Sequence, residues 1–114
     1  MENAPIIKTA LPKRRYQLGN YLATVLAEVE SGDQRRFGYI MAFVPEGDDR
    51  PVLYVVTEAT GEIPGWRFVV INSVMNEELD RADEWRNLDY FIEGAMQAGS
   101  QLLGLQQERP YRLA

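Results

Sequence analysis

The chain contains neither cysteine nor histidine. Without cysteine there can be no disulfide and no thiolate metal site. Without histidine the commonest general base and the commonest metal ligand are missing too. Positive charge is also in short supply: 12 Lys and Arg stand against 17 Asp and Glu, a formal charge of −5. That balance argues against a nucleic-acid binder working through bulk charge. No apolar run approaches the roughly 20 residues needed to cross a bilayer, and Met1–Arg15 lacks the apolar core of a secretory signal. These absences lead to the expectation of a cytoplasmic protein with no metal, no cofactor and no membrane partner.

What is present is sheet-forming. Three runs are rich in β-branched and aromatic residues and bounded by Gly, Pro and Asp: Phe37–Val44, Val52–Ala59 and Trp66–Asn72. Alternation sorts their side chains onto two faces. One would carry Phe37, Tyr39, Met41, Phe43, Val52, Tyr54, Val56, Trp66, Phe68 and Val70. The other would carry Ile40, Ala42, Val44, Leu53, Val55, Val69 and Ile71. Both are apolar, so both need a cover, unlike an antiparallel sheet with one wet face.

One cover is legible. Trp85, Leu88, Phe91, Ile92, Ala95, Met96, Gly99, Leu102 and Leu103 recur at helical spacing and predict a helix over 87–106. Gly94 and Gly99 within it each cost about 1 kcal/mol against alanine, which points to close backbone approach. Gly104 should loosen or end this helix. Tyr16–Glu30 reads two ways. Leu18, Tyr21, Leu22, Val25, Leu26 and Val29 fit a helix, while its β-branched and aromatic content and its neighbours favour a strand turning back at Ser31–Gln34. The strand reading is preferred, with Gly19 as a bulge. Acidic Ser73–Glu84 is expected to be a short helix or an ordered loop. The prediction is an α+β fold: a four-stranded antiparallel β-meander followed by a C-terminal helix packed on one face. The alternative is a helix at 18–29, three strands and the C-terminal helix. Residues 1–15 would be a flexible basic arm, 16–107 the single domain and 108–114 a tail.

No catalytic motif stands out. Glu46, Asp48 and Asp49 lack the spacing of a twelve-residue calcium loop and read as a solvated turn. Lys13, Arg14 and Arg15 are separated from Arg35 and Arg36 by the length of a hairpin, which works against one nucleic-acid patch. Glu58, expected on the aromatic face with Glu62 or Asn72 nearby, is the one carboxylate placed for acid–base work, and an enzyme is the lesser reading. The preferred function is a small acidic binding or adaptor protein without catalytic activity. The aliphatic face would lie under the helix. The aromatic face would meet another protein or, in a homodimer, a second copy, through Tyr39, Phe43, Tyr54, Trp66 and Phe68. If 18–29 were helical, the element order would resemble part of the scheme of small, acidic, dimeric secretion chaperones, a likeness of general type only.

Overall fold

The computed structural model describes residues 1–114. Its main feature is a seven-stranded antiparallel sheet in the order β6-β5-β4-β3-β2-β1-β7. The strands are β1 Ile7–Leu18, β2 Tyr21–Ser31, β3 Phe37–Pro45, β4 Leu53–Ala59, β5 Trp66–Ile71, β6 Asn76–Arg81 and β7 Tyr111–Arg112. A 3-10 turn, Asp83–Arg86, leads into the single helix α1, Leu88–Leu102. The class is therefore α+β, but four strands undercount the sheet.

The three central runs form β3, β4 and β5 nearly as their composition predicts. Leu18 ends β1 and Tyr21 opens β2, so the helical alternative for 18–29 and its chaperone-like element order are not realised. Gly19 is not a bulge. Leu18 pairs with Tyr21, leaving Gly19-Asn20 as a two-residue hairpin turn, and Gly19 takes φ +57 at the first central position, where a type II′ turn favours glycine. Residues 7–15, expected in a flexible arm, make up most of β1. The C-terminal tail supplies β7, which pairs with β1 at Tyr16 and Gln17. Acidic 76–81 is the edge strand β6, with all six residues exposed. Charge on an outer strand blunts its tendency to pair with other chains.

Helix α1 starts at Asn87, whose side-chain Oδ1 accepts a hydrogen bond from the Tyr90 N–H at 2.9 Å. It ends before Gly104, where the Leu105 N–H reaches the Ser100 carbonyl at 2.7 Å. Phe91, Ile92, Ala95, Met96 and Gly99 face the sheet and are buried.

The face beneath the helix is the reverse of the expectation for β3 and β5, while Leu53 and Val55 of β4 lie under it as expected. The larger core joins Met41 and Phe43 of β3, Leu53 and Val55 of β4, and Phe68 and Val70 of β5 to Phe91, Ile92, Ala95 and Met96. Phe43 and Phe68 are therefore helix-covered core, whereas Phe37 and Tyr54 lie on the opposite face. The reason lies in the helix's small residues: a β-carbon at Gly99 would stand 2.7 Å from Phe43 Cε1 and closer still to Cζ, and one at Gly94 would stand 2.7 Å from Trp85 Cη2. Backbone stripped of side chain comes down directly onto flat rings. Complete burial of Phe43 contributes on the order of 2–3 kcal/mol.

The opposite face holds a smaller core of Phe37, Ile40, Val56, Val69 and Ile71, with Ile7, Leu26, Val29 and Tyr54 packed against it. Bulges explain these assignments. Phe37 opposes Glu58, but Ile40 opposes Val56, so β3 holds an extra residue at Gly38–Tyr39 and Phe37 changes face. β2 gains a residue at Glu28, between the pairs Leu11–Ala27 and Thr9–Glu30, and Val29 changes face too. β1 gains Lys13. Strand β1 lies two strands from β3, roughly 10 Å in a flat sheet. Ile7 from β1, with Leu26 and Val29 from β2, nevertheless packs against this core. The second cover comes in part from within the sheet.

Candidate ligand-binding cleft

The bulges do more than re-aim core side chains. Residues at the Lys13, Glu28 and Gly38–Tyr39 bulges line one cleft on the helix side of the sheet, of about 400 Å³, with Lys13 from β1, Ala27 and Glu28 from β2, Gly38 and Tyr39 from β3, Trp66 from β5, and Trp85 and Arg86 from the 3-10 turn. Both tryptophans of the chain are here.

Each wall is held by identifiable contacts. The bulge leaves the Tyr39 N–H without a ladder partner, and it donates to Thr57 Oγ1 at 2.9 Å. Thr57 is the one fully buried polar side chain in the core, so its hydroxyl satisfies a group that would otherwise be orphaned. Gly38 gives the Trp66 ring its seat: a β-carbon there would lie 2.9 Å from Trp66 Cζ3. The Tyr39 ring stacks on Phe91 with centroids 5.4 Å apart, and its hydroxyl donates to the Arg86 carbonyl at 3.1 Å. Trp85 stacks on Phe68 at 4.0 Å, and its indole N–H donates to Asp80 at 3.1 Å. Asp83 accepts from the Gly65 N–H at 2.8 Å, pinning the 3-10 turn to the β4–β5 connection. Arg14 reaches Asp89 in the first turn of α1 at 3.0 Å, tying β1 to the helix.

Against these fixed walls stand three free charges. Lys13, Glu28 and Arg86 are exposed, and none of their charged groups takes part in an ion pair. Glu28 also has φ +47, the only non-glycine residue with positive φ in the chain. Such a conformation is costly for a side chain other than Gly, Asn or Asp, and strain of this kind concentrates at functional sites.

The five residues expected to form an interface separate. Tyr39 and Trp66, both half-buried, meet in the cleft. Phe43 and Phe68 are buried at 0 % and 4 % exposure beneath the helix, so neither can offer surface to a partner. Tyr54 lies on the other face, against the smaller core, where burial raises its phenol above the ordinary value. Sequence reading missed Lys13, Glu28, Trp85 and Arg86 as site residues. Trp85 was visible only as part of the helical stripe and Lys13 only as part of a basic run, while Glu28 and Arg86 carried no local signal.

Glu58 is not on the aromatic face. It faces the other way, paired with Arg67 at 2.9 Å in an ion-paired chain that continues through Glu78 to Arg81. Glu78 is held below the ordinary carboxylate range, chiefly by its hydrogen bond from Arg81. Asn72 is five residues along the ladder from Glu58, roughly 17 Å, and accepts from the Val74 N–H within its own turn. Glu62 is exposed in the β4–β5 connection. The three do not form a catalytic group. Asp48 accepts from the Asp49 and Arg50 N–H groups, closing its own turn. Of the basic residues, Arg14 is engaged by Asp89, and Arg35 by Asp33 and by the carbonyls of Asn3 and Ala4. No helix is long and apolar enough to cross a membrane.

No protein-family model, curated protein or solved structure matches the chain.

Proposed function

We propose that this chain is a small binding protein without chemistry of its own, and that its ligand sits in the cleft walled by Tyr39, Trp66 and Trp85. The observation that carries this reading is the convergence, in one concavity of about 400 Å³, of three aromatic side chains and three unpaired charged ones from separate elements. Ligand sites are usually concave and largely apolar, with a few convergent polar groups, and this volume lies within the common range of roughly 300–1,000 Å³. The lack of histidine and cysteine, and the neutralisation of Glu58 by Arg67, support binding over catalysis.

The test uses the placement of both tryptophans. Small aromatic and charged fragments are titrated into 15N-labelled protein while the two indole N–H signals are followed. Saturable shifts of both, abolished by Trp66→Ala in a protein whose remaining spectrum is unchanged, support the reading. Fragments that shift only residues remote from the cleft refute it.

A second reading, a homodimer, is favoured by the other face. No helix lies there, and Leu22, Val44 and Tyr54 are only half-buried on it. Light scattering across a concentration range tests it: a stable mass near twice 13.0 kDa is expected, and a monomer at every concentration rejects it.

A further inference from the structure

The cleft's charges say more about its ligand than its shape does. Lys13 and Arg86 bring two cationic groups, one from β1 and one from the 3-10 turn, and Glu28 brings a carboxylate from β2. A purely anionic ligand would leave Glu28 facing like charge. A purely cationic one would face Lys13 and Arg86. A neutral apolar ligand would cover three charged groups without replacing their water. Only a molecule carrying both signs answers all three. The walls between them are flat and aromatic, suited to stacking a ring and to holding an ammonium near an indole face. The volume, about 400 Å³, suits one ring-bearing molecule.

Resting on the binding function proposed above, we infer that the cleft takes a small zwitterion with a flat apolar body, of the chemical class of an aromatic α-amino acid. Its carboxylate meets Arg86 and Lys13, its ammonium meets Glu28, and its ring lies against the half-buried Tyr39 and Trp66, with Trp85, 6 % exposed, closing the cleft behind them. Arginine suits the first role, because its planar fork can grip a carboxylate with two parallel hydrogen bonds. The Tyr39 hydroxyl is already engaged by the Arg86 carbonyl, which fixes the turn that presents Arg86.

The experiment compares L-phenylalanine with two derivatives, each lacking one charge: N-acetyl-L-phenylalanine without the cation, and L-phenylalanine amide without the carboxylate. Binding is read from the two indole N–H signals and from isothermal titration. The free amino acid is expected to bind at least about tenfold tighter than either derivative, the size of effect that follows when one charged contact is lost. In Glu28→Gln the advantage over the N-acetyl compound should fall to within about threefold, while the advantage over the amide persists. In Arg86→Ala the opposite loss is expected. Because all three charged residues are exposed, these variants should fold, and their dispersed spectra check that directly. Equal affinity for L-phenylalanine and either derivative overturns the zwitterion while leaving the cleft as a binding site. Absence of any indole shift with L-phenylalanine also overturns it, and the fragment titration then decides separately whether the cleft binds anything.

Discussion

Adding one methyl group at Gly99 tests the packing of the helix on the aromatic face. The residue is buried at the C-terminal end of the α1 contact. In an isolated helix, Gly→Ala stabilises by about 1 kcal/mol. Here the new β-carbon would come within 2.7 Å of Phe43 Cε1 and 3.0 Å of Cε2, and nearer still to Cζ. Phe43 is completely buried and cannot swing away into solvent. Overpacking of this kind costs roughly 1–3 kcal/mol, and more where the neighbours are rigid. The clash should outweigh the propensity gain and leave Gly99→Ala less stable by about 1–2 kcal/mol, a fall in Tm of roughly 3–10 °C for a chain of this size. Urea unfolding followed by tryptophan fluorescence and by far-ultraviolet circular dichroism measures it. The decisive arm is a double-mutant cycle. In a Phe43→Leu background the ring is gone, and Gly99→Ala should become neutral or stabilising by up to about 1 kcal/mol. If Gly99→Ala raises the urea midpoint in the native background, or if the two changes are additive, the helix does not rest on Phe43.

Further outcomes are expected at the bulges and the β2–β3 turn. Gly38→Ala places a β-carbon 2.7 Å from Thr57 Oγ1 and 2.9 Å from Trp66 Cζ3. It should destabilise by about 1–3 kcal/mol and alter tryptophan emission, and an unchanged spectrum would show that Gly38 does not seat Trp66. Glu28→Gly relieves a positive φ, so it should be neutral or stabilise by up to about 1 kcal/mol, whereas Glu30→Gly should destabilise; equal losses at both positions would remove the strain from the argument. Asp33 is held well below the ordinary carboxylate range by the Arg35 side chain first, with the Arg35 N–H and the Ser31 hydroxyl adding to it. A depressed folded value means stability that is complete above the unfolded pKa near 4 and lost as pH falls through the folded value. Asp33→Asn should therefore lose stability at neutral pH, with the difference shrinking on acidification. A thermal-unfolding difference that is constant with pH would contradict this.

How far the sequence could be read depended on which forces were local. Strands β3, β4 and β5 announced themselves because Val, Ile, Phe and Tyr cluster in runs ended by Pro and Gly. Strand β6 did not, because Glu77, Glu78 and Asp80 disfavour strand locally and are held there by pairing with β5. Strand β1 was hidden by Pro12 and a run of basic residues. The assignment of faces failed for a different reason. When both faces of a strand are apolar, alternation divides its residues into two sets but does not say which set matches which set on the next strand. That phase is set by register, and here Leu53 opposes Phe43. Bulges at Glu28 and Gly38 then inverted the alternation towards the end of β2 and at the start of β3, with no residue type that marks them unambiguously.

Composition and periodicity alone determined the fold class, the central sheet-forming runs, the helix with its two glycines and the lack of histidine and cysteine chemistry. Each of these follows from a residue and its near neighbours in the chain. The tertiary structure alone decided which face the helix covers, how Ile7, Leu26 and Val29 of the β1–β2 hairpin cover part of the other, and that Lys13, Glu28 and Arg86 join Tyr39, Trp66 and Trp85 around one cleft. Those outcomes depend on strand register and on bulges, which are settled by packing between segments far apart in sequence.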